Sequence, residues 1–398
     1  MYQAAAAAEV RPWRATGAAL CANLVGIGIA RFGYTPLIPA LIAAGWFAPS
    51  AAVYLGAANL AGYLGGALGA RALAAPIGSR ATLRGAMLLT AASLFACALP
   101  FGFWWFFVWR LLSGATGGVL MALAAPAVMG AIPPARRGIA GGTIIAGIGF
   151  GTAASGTLVP WLMRWGVVAT WIGFGAAALL LTAIAWNGWP MAQAGPPRPA
   201  ARHIPARPAL RALYLEYALS AVGLVPHMVF LVDFVARGLG RGLPAGGYHW
   251  VLFGAGALLG PLVGGHAGDR IGFAAALRLA LVVQAGFVAL PLVTVAAPWL
   301  ELSSFAVGGV MLGIVAITLG RSRELLPGDT AAQAAAWGWC TTAFAIGQAV
   351  AGYGFSYLFA QSAEGYPLLF ALAALAVILA LALDLAVGLT MRRRAALG

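Results

Sequence analysis

Long apolar stretches recur along the whole chain, and short segments rich in arginine, glycine or proline separate them. A helix that crosses a bilayer needs about 20 mainly apolar residues, whereas a strand of a membrane barrel needs about ten residues of alternating polarity. The stretches are much too long for such strands, so the pattern predicts an all-α integral membrane protein with twelve transmembrane helices. The predicted helices cover residues 15–40, 51–72, 83–100, 104–129, 139–163, 167–188, 210–235, 247–267, 274–295, 301–320, 333–360 and 365–389.

One polar segment near the middle of the chain interrupts this pattern more strongly than the others. Between Met191 and Pro208 it contains five prolines and three arginines, a composition that a membrane helix does not tolerate. We therefore predict two pseudo-symmetric six-helix bundles joined by a polar tether. The predicted domains are an N-terminal bundle at 1–190, a cytoplasmic linker at 191–209 and a C-terminal bundle at 210–398.

Composition excludes the soluble classes of protein. The 398 residues are 62% hydrophobic and 8% charged, with a mean hydropathy of +0.93, whereas soluble chains are about 25% charged. Such a chain cannot cover a globular surface with polar groups, so soluble enzymes, nucleic-acid-binding modules and disordered proteins are excluded. The basic residues behind the formal net charge of +14 are all arginines, and we attribute them to loops on one side of a bilayer.

The arginines divide unequally between the two sides of the predicted bundle. With the N-terminus inside, 18 of the 23 arginines fall in cytoplasmic segments and only Arg164, Arg237 and Arg241 fall outside, while Arg31 and Arg110 lie within helices. Loops rich in lysine and arginine stay on the cytoplasmic side of a membrane. The count therefore predicts a multi-pass protein of a bacterial-type cytoplasmic (inner) membrane, with both termini in the cytoplasm.

Neither the cysteines nor the glycine-rich segments indicate a cofactor. Cys21, Cys97 and Cys340 lie far apart inside apolar stretches, which predicts packing residues rather than a disulfide or a metal site. The segment 147–151 resembles a dinucleotide-binding loop only superficially, because it follows no strand and lies within a predicted helix. Close packing between helices is its expected role, and no cofactor is predicted.

Two sequence motifs connect the chain with a known family. A shift of 199 residues aligns GGALGAR at 65–71 with GGHAGDR at 264–270, at the same end of the second helix in each half. The second copy continues as GHAGDRIG at 265–272, which resembles the loop signature G-x-x-x-D-R-x-G of the major facilitator superfamily (MFS). The segment from Arg110 to Gly118 resembles the helix-4 motif of that superfamily, and the glycine-rich fifth helix resembles its helix-5 motif.

The resemblance extends over the whole chain, because the superfamily also has twelve helices, a central tether and a six-plus-six repeat. Within it, RFGYTP at 31–36 and YLGAANLAGY at 54–63 resemble the YbfB/YjiJ-like branch. One departure is that Ala70 stands in the first copy of the loop where Asp269 stands in the second. In the superfamily this acid helps to lock the cytoplasmic helix ends in the outward-open state, so the resemblance implies one lock only, from Asp269 and Arg270.

Arg31 and Arg110 are predicted to lie inside the bilayer, where an unpaired arginine costs at least about 2.5–3.5 kcal/mol. The N-terminal half has a single acidic residue, Glu9, which lies outside the membrane. We therefore expect Arg31 to bind an anionic substrate in a cavity between the halves or, as the alternative, to hydrogen-bond to carbonyl groups of a bent helix. For Arg110 the resemblance favours a structural or proton-coupling role near the first helix, with direct contact to the substrate as the alternative.

The seventh predicted helix holds an unusual set of titratable residues. His227 matches Arg31 in depth across the repeat, so it is a candidate for substrate binding and for proton coupling, and a hydrogen-bonded packing residue is the alternative. Glu216 is a candidate protonation site or, alternatively, a gate partner for an arginine such as Arg323. Asp233 lies near the outer end of the helix and is a candidate gate or surface residue.

Uncharged polar side chains complete the predicted site. They lie inside predicted helices, where an amide or hydroxyl that faces lipid would lack a hydrogen-bond partner. The predicted substrate-binding residues are Arg31, Tyr34, Asn59, Tyr63, His227, Gln284 and Gln348, the predicted proton-coupling residues are Glu216, His227 and Arg110, and the predicted gating residues are Asp269, Arg270 and Asp233.

These features predict a secondary active transporter that moves a small solute by alternating access. The expected partners are protons, the lipid bilayer and a small-molecule substrate that is an organic anion. No nucleic acid is expected, and a monomer is the family expectation. An efflux pump for amphipathic drugs is the main alternative, and a receptor or scaffold without transport is a further one. An enzyme is not predicted, since nucleophiles, metal ligands and acid–base groups do not converge in the sequence.

Overall fold

The computed structural model describes residues 11–133, 136–190, 208–362 and 365–397, and these residues form helices joined by short turns. We number the membrane-spanning helices α1 to α12 along the chain. In the first half they are α1 at 12–43, α2 at 49–77, α3 at 79–96, α4 at Phe103–Met129, α5 at Arg137–Leu162 and α6 at Val167–Ala185. In the second half they are α7 at Pro208–Gly238, α8 at Gly242–Ile271, α9 at Phe273–Val293, α10 at Ala297–Leu325, α11 at Thr330–Gln361 and α12 at Tyr366–Leu397. The predicted linker at 191–209 lies outside the described residues except for its last two positions.

The helix Pro49–Ala96 accounts for two of the predicted spans. Its 48 residues would extend about 72 Å as a straight helix, roughly twice the thickness of a bilayer core. The helix changes direction at Gly78, whose φ of 79° is readily available to glycine, and Gly272 has the same φ between α8 and α9. The described residues therefore contain eleven long apolar helices, one of them double, which confirms the predicted twelve spans.

Large apolar side chains lie exposed on the outside of the bundle. In a soluble protein such a surface would be unusual, but against lipid tails it is the expected one. The most exposed of these side chains include Leu68, Phe101, Trp104, Leu180, Leu262 and Val293.

Glycines bring α2 against α4, and α8 against α10, at the distance of backbone contact. A β-carbon on Gly62 would lie 1.9 Å from the carbonyl oxygen of Leu111, and one on Gly256 would lie 1.9 Å from that of Phe305. Small residues permit such close approach between membrane helices. The two contacts are equivalent in the repeat, because 256 − 62 and 305 − 111 both equal 194.

This spacing corrects the register of the internal repeat. The shift that relates α2 and α4 to α8 and α10 is 194 residues and not 199, and the two positive-φ turns between helices are also 194 residues apart. The position equivalent to Asp269 is therefore Ala75 rather than Ala70, and Pro76 takes the place of Arg270. In either register the N-terminal half lacks the acidic residue at this turn.

The first helix of each half is irregular near the middle of the bundle. α1 is π-helical over Leu24–Ile29 and contains a 3-10 turn at Phe32–Tyr34. α7 is π-helical over Pro226–Phe230, where the proline cannot donate a backbone hydrogen bond. Such turns interrupt the regular hydrogen-bond ladder and frequently mark functional sites. Arg31 lies between the two irregular turns of α1, Met228 lies in the π-helix of α7, and both residues line the same cavity.

We name the two ends of the bundle by their arginines. The basic end carries most of the arginines, and α1, α5, α7 and α11 begin there, whereas the opposite end is the far end. Contacts between the two halves lie away from the basic end. A β-carbon on Gly156, late in α5, would lie 2.6 Å from the carbonyl oxygen of Gly247, early in α8. One on Gly352 of α11 would lie 2.6 Å from a methyl carbon of Leu60 on α2. These contacts join the halves in the far part of the bundle.

Candidate substrate site

Arg31 lies at the break in α1 and reaches across to the other half of the protein. Its Nη2 donates a hydrogen bond of 2.7 Å to Oε1 of Gln348 on α11. The guanidinium carbon lies 5.0 Å from the ring centre of Tyr63 and 5.3 Å from that of Phe32, within the range of cation–π attraction. Its Nε is buried without a hydrogen-bond partner among the described residues. Arg31 is thus held by a neutral amide and two aromatic faces, and its Nε–H has no described partner.

Arg110 of α4 lies beside Arg31 and is only 1% exposed. Its Nη1 donates a hydrogen bond of 2.5 Å to the carbonyl oxygen of Ala30, at the end of the π-helix in α1. The guanidinium carbon lies 4.1 Å from the ring centre of Tyr34, whose hydroxyl donates to the carbonyl oxygen of Ala52 at 2.8 Å. Within the described part of the chain, Nε of Arg110 is also buried and unpartnered. Arg110 therefore rests on a carbonyl group and an aromatic ring, and it too keeps an open donor.

Asn59 of α2 is buried, and two hydrogen bonds fix the orientation of its amide. Its Nδ2 donates to the carbonyl oxygen of Arg110 at 3.2 Å and to the hydroxyl oxygen of Ser113 at 3.0 Å. Because a carbonyl oxygen can only accept, the amide cannot turn round without losing the first of these bonds. Its Oδ1 therefore remains an acceptor, and no described residue donates to it.

These groups line a cavity of about 280 Å³ between the two halves of the protein. Its walls include Arg31, Tyr34, Asn59 and Arg110 from the N-terminal half, and Met228 and Val229 from α7. Tyr63 and Gln348 contact Arg31 at the edge of the cavity. The structure therefore brings five of the seven predicted substrate-binding residues together.

The cavity carries positive charge without a counter-ion from its own walls. None of the described residues that line it has a carboxylate, and the N-terminal half has no acidic residue other than Glu9 in its sequence. Two guanidinium groups repel each other in a medium of low polarity, and charge-assisted hydrogen bonds to an oxyanion would relieve that repulsion. Chemically, the arrangement can hold an anion against the two open Nε donors.

Two further hydrogen bonds beside the cavity end on Met228, and the first of them joins the halves. Thr35 of α1 donates a bond of 2.6 Å to the main-chain carbonyl oxygen of Met228 in the π-helix of α7. Nε2 of Gln348 donates to the sulfur of Met228 at 3.5 Å, while its Oε1 accepts from Arg31. Sequence patterns did not single out Thr35 or Met228, since neither residue type is unusual in an apolar helix.

His227 and Gln284 lie inside the C-terminal bundle, and neither belongs to the described residues that line this cavity. Nε2 of His227 lies 3.0 Å from the hydroxyl oxygen of Ser303, whose hydrogen is donated to the carbonyl oxygen of Phe287 at 2.6 Å. The serine oxygen therefore accepts from Nε2–H. Gln284 exchanges two hydrogen bonds with Ser220 of α7, at 2.7 and 2.8 Å. The structure gives both residues partners within their own half instead of the predicted place beside the substrate.

Glu216 lies in a second cavity, of about 300 Å³, within the C-terminal bundle at the basic end. The same cavity is lined by Arg321 and by Arg278 and Asp384, which form an ion pair. Glu216 itself makes no ion pair with another described residue. Arg323, the predicted gate partner, is exposed and does not line the cavity, so the arginines beside Glu216 are different from the one predicted.

The charges around Glu216 balance when that residue carries a proton. Arg278 pairs with Asp384, and Arg321 pairs with Glu324 at 3.0 Å. Each of the two arginines is thus paired with one carboxylate. Glu216 adds a third carboxylate, which is only 3% exposed. With Glu216 protonated this cluster is neutral, and with Glu216 ionised it carries one net negative charge.

The predicted gating residues are found in different surroundings. Asp233 is fully buried and is therefore not the surface residue considered as an alternative. Its carboxylate pairs with Arg237 at 2.6 Å and accepts from the hydroxyl of Tyr366 at 2.7 Å. Asp269 and Arg270 are exposed at the turn between α8 and α9, and neither forms an ion pair within the described part of the chain. The predicted lock is not closed in this structure.

Comparisons with known proteins agree with this architecture. The family model described as "Uncharacterised MFS-type transporter YbfB" matches residues 23–385. Among solved structures, the crystal structure of a D-xylose-proton symporter superimposes with a TM-score of 0.69 over 93% of this chain and 97% of that chain, at 16% sequence identity. A search of curated protein sequences finds no match. The structural likeness confirms the predicted fold and, at that identity, bears on the fold alone.

Proposed function

The chain belongs to the family of the uncharacterised MFS-type transporter YbfB, and on that premise we propose that it moves a small organic anion across the membrane by alternating access, coupled to protons. Membership of this family makes the chain a multi-pass membrane protein and a secondary transporter, and it indicates transport rather than enzymatic catalysis. The solute and the coupling ion have to be argued from the residues of the two cavities.

One observation carries the choice of an anion, namely that two guanidinium groups share a cavity whose described walls supply no carboxylate. Arg31 and Arg110 each leave Nε without a described partner, so the site offers two charge-assisted donors to a ligand that has left water. Hydrogen bonds to charged groups contribute about 1.5–3 kcal/mol each. A cationic solute would add to the repulsion between the arginines, and a neutral solute, although its oxygen atoms can accept from these donors, would not offset their charge.

Two alternative functions differ from this proposal in the ligand or in the flux they predict. Efflux of amphipathic drugs suits the aromatic faces of Phe32 and Tyr34 but makes no use of the charge on the two guanidinium groups. The other alternative, a receptor on the same fold, would bind a ligand without transporting it.

The proposed orientation follows from the positive-inside rule. The basic end carries most of the arginines and faces the cytoplasm in this proposal, together with both termini. The contacts between α5 and α8 and between α2 and α11 lie in the far part of the bundle, so we assign the structure to a state that is closed towards the outside. The open lock at Asp269 and Arg270 supports this assignment, because the superfamily resemblance associates the closed lock with the outward-open state.

Glu216 is the proposed proton site. It is the third carboxylate in a cluster with two arginines, so a bound proton brings the net charge of the cluster to zero. Arg110 is proposed to couple the substrate cavity to α1, since it bonds to the carbonyl oxygen of Ala30 at the break in that helix. His227 is the second candidate proton site, because its Nδ1 is buried without a described partner.

We further propose the domain boundaries that the sequence suggests, with bundles at 1–190 and 210–398 and a linker at 191–209 in a monomer of an inner membrane. The backbone contacts of α2 with α4 and of α8 with α10 support two bodies that move as units, because closely packed helices deform little.

The test of this function combines ligand-induced thermal stabilisation with flux into liposomes. The panel contains small organic anions, inorganic oxyanions, cations and lipophilic drugs, and each is tested with wild type, Arg31→Gln and Arg164→Gln. The last variant removes an equal charge at an exposed position outside the cavity. We expect an anion to stabilise wild type and Arg164→Gln, and to bind Arg31→Gln about 10- to 100-fold more weakly.

Two results would contradict the proposal. Stabilisation by drugs or cations alone, to the same extent in wild type and Arg31→Gln, would make Arg31 a structural residue and support the efflux alternative. Binding of an anion without any flux in sealed liposomes would support the receptor alternative.

A further inference from the structure

Asn59 offers the substrate cavity a group of opposite polarity to the two arginines. Its Oδ1 is buried, has no partner among the described residues, and belongs to a side chain in the cavity wall. The bonds from Nδ2 to the carbonyl oxygen of Arg110 and to Ser113 prevent the amide from turning to another partner. A buried acceptor that stays unpaired is unfavourable, so a ligand that donates a hydrogen bond to Asn59 gains affinity over one that does not.

The neighbouring charges restrict the kind of donor that Asn59 can receive. Arg31 and Arg110 are close enough to interact electrostatically, so both would repel the ammonium group of an amino acid. A hydroxyl group is neutral and donates one hydrogen bond. A carboxylic acid that bears a hydroxyl on a nearby carbon presents an anion and a neutral donor within one compact molecule.

We propose that the substrate is a small hydroxycarboxylate. Its carboxylate binds the open Nε donors of Arg31 and Arg110, and its hydroxyl donates to Oδ1 of Asn59. This inference rests on the proposed function, because it adds a second recognition element to the same cavity. Asn59 is then the residue that distinguishes a hydroxy acid from the same acid without its hydroxyl.

The test compares anions that differ by one hydroxyl group. The pairs are glycolate with acetate, lactate with propionate, and malate with succinate, and dissociation constants are measured by calorimetry on the purified full chain. The variants are Asn59→Ala, which removes the acceptor, and Thr152→Ala, which removes a buried hydroxyl that bonds within its own helix and lies outside the described cavity lining. We expect wild type to bind the hydroxy acid of at least one pair about tenfold more tightly, the ratio that corresponds to about 1.4 kcal/mol. The ratio should fall to about one in Asn59→Ala and persist in Thr152→Ala.

Several outcomes would overturn the inference. Equal binding of both members of every pair by wild type would overturn it and leave anion transport standing, and this result needs no variant to fold. A preference that survives in Asn59→Ala would place the hydroxyl elsewhere. Binding of anions without a hydroxyl and of none of the hydroxy acids would also overturn it, whereas the absence of binding by any anion would mean that the proposed function itself fails.

Discussion

Each of the two cavities is lined by a pair of arginines, and the two pairs differ in what surrounds their charge. Arg278 and Arg321 each form an ion pair with a carboxylate of the C-terminal half. Arg31 and Arg110 rest on a glutamine amide, a main-chain carbonyl and aromatic rings. The charge of an arginine that is paired with a carboxylate is balanced without a ligand, whereas an arginine held by neutral groups still attracts an anion. The same residue type therefore indicates a structural charge cluster in one place and a candidate substrate site in the other.

Replacing the planar guanidinium group of Arg110 is expected to have the largest effect on transport. Arg110→Lys keeps the charge, but lysine lacks the planar guanidinium that lies over Tyr34 and donates to the carbonyl oxygen of Ala30 through Nη1 while Nε has no described partner. We expect uptake of the anion into proteoliposomes to fall about 100-fold, equal to about 2.7 kcal/mol. Arg164→Lys, at an exposed position, should stay within about twofold of wild type. Similar losses in both variants would remove the distinction between the cavity and the surface.

Neutralising Glu216 should separate proton coupling from solute binding. Glu216→Gln keeps the cluster permanently in the neutral charge state that a bound proton gives. We expect exchange of the anion across the liposome membrane to continue, while accumulation driven by a pH gradient falls about tenfold, within the usual range of coupling energies. Glu301→Gln is the control, because Glu301 lies outside the described lining of this cavity, and it should leave both quantities unchanged. Loss of exchange together with accumulation would show that Glu216 is not a separate proton site.

A carboxylate at position 348 should make Arg31 resemble the arginines of the C-terminal half. Oε1 of Gln348 already lies 2.7 Å from Nη2 of Arg31, so Gln348→Glu would supply an internal anion there. We expect about tenfold weaker binding of the anionic ligand, together with a higher melting temperature in its absence. Gln361→Glu adds the same charge at an exposed position on the same helix and should change neither quantity. Tighter anion binding by Gln348→Glu would contradict the role of Arg31 as a ligand.

The smallest expected effect concerns the bond between Thr35 and Met228. Thr35→Val removes the donor and should shift the balance between closed and open far ends by about 2- to 10-fold, as one hydrogen bond of about 0.5–1.5 kcal/mol allows. Spin labels on Ala44→Cys and Pro244→Cys, at the far end, would report the two populations as two distances, because the native cysteines are buried. Thr157→Val, at an exposed position on α5, should leave the populations unchanged. An unaltered distance distribution in Thr35→Val would mean that this bond does not hold the far end closed.

Much of the cavity could be predicted from the sequence, because a polar group inside an apolar helix must face protein, water or a ligand. This argument applied to Arg31, Asn59 and Gln348, which the structure brings to the cavity or its edge. Depth along a helix follows from a rise of 1.5 Å per residue, but direction does not, since neighbouring residues project about 100° apart. Met228 therefore lines the cavity while His227 points into its own half.

Irregular segments explain the remaining differences between expectation and structure. The π-helices in α1 and α7 change the number of residues per turn, so a helical projection cannot be continued through them. The glycine-rich segment predicts a repeat shift of 199 residues, whereas backbone contacts between helices require 194. Those contacts depend on which glycines face each other, and a single sequence rich in glycine does not reveal that.

The bond between Thr35 and Met228 joins one side chain to one main-chain group. Every residue type at 228 supplies the same carbonyl oxygen, so replacing the methionine leaves the acceptor in place, whereas a residue without a hydroxyl at 35 removes the donor. In a saturation mutagenesis screen, substitutions at 35 would therefore reveal this bond and substitutions at 228 would not. A search for covarying positions would not detect it. The acceptor depends on the backbone path of α7. Related sequences therefore keep it as long as they keep that path, whatever side chain stands at 228.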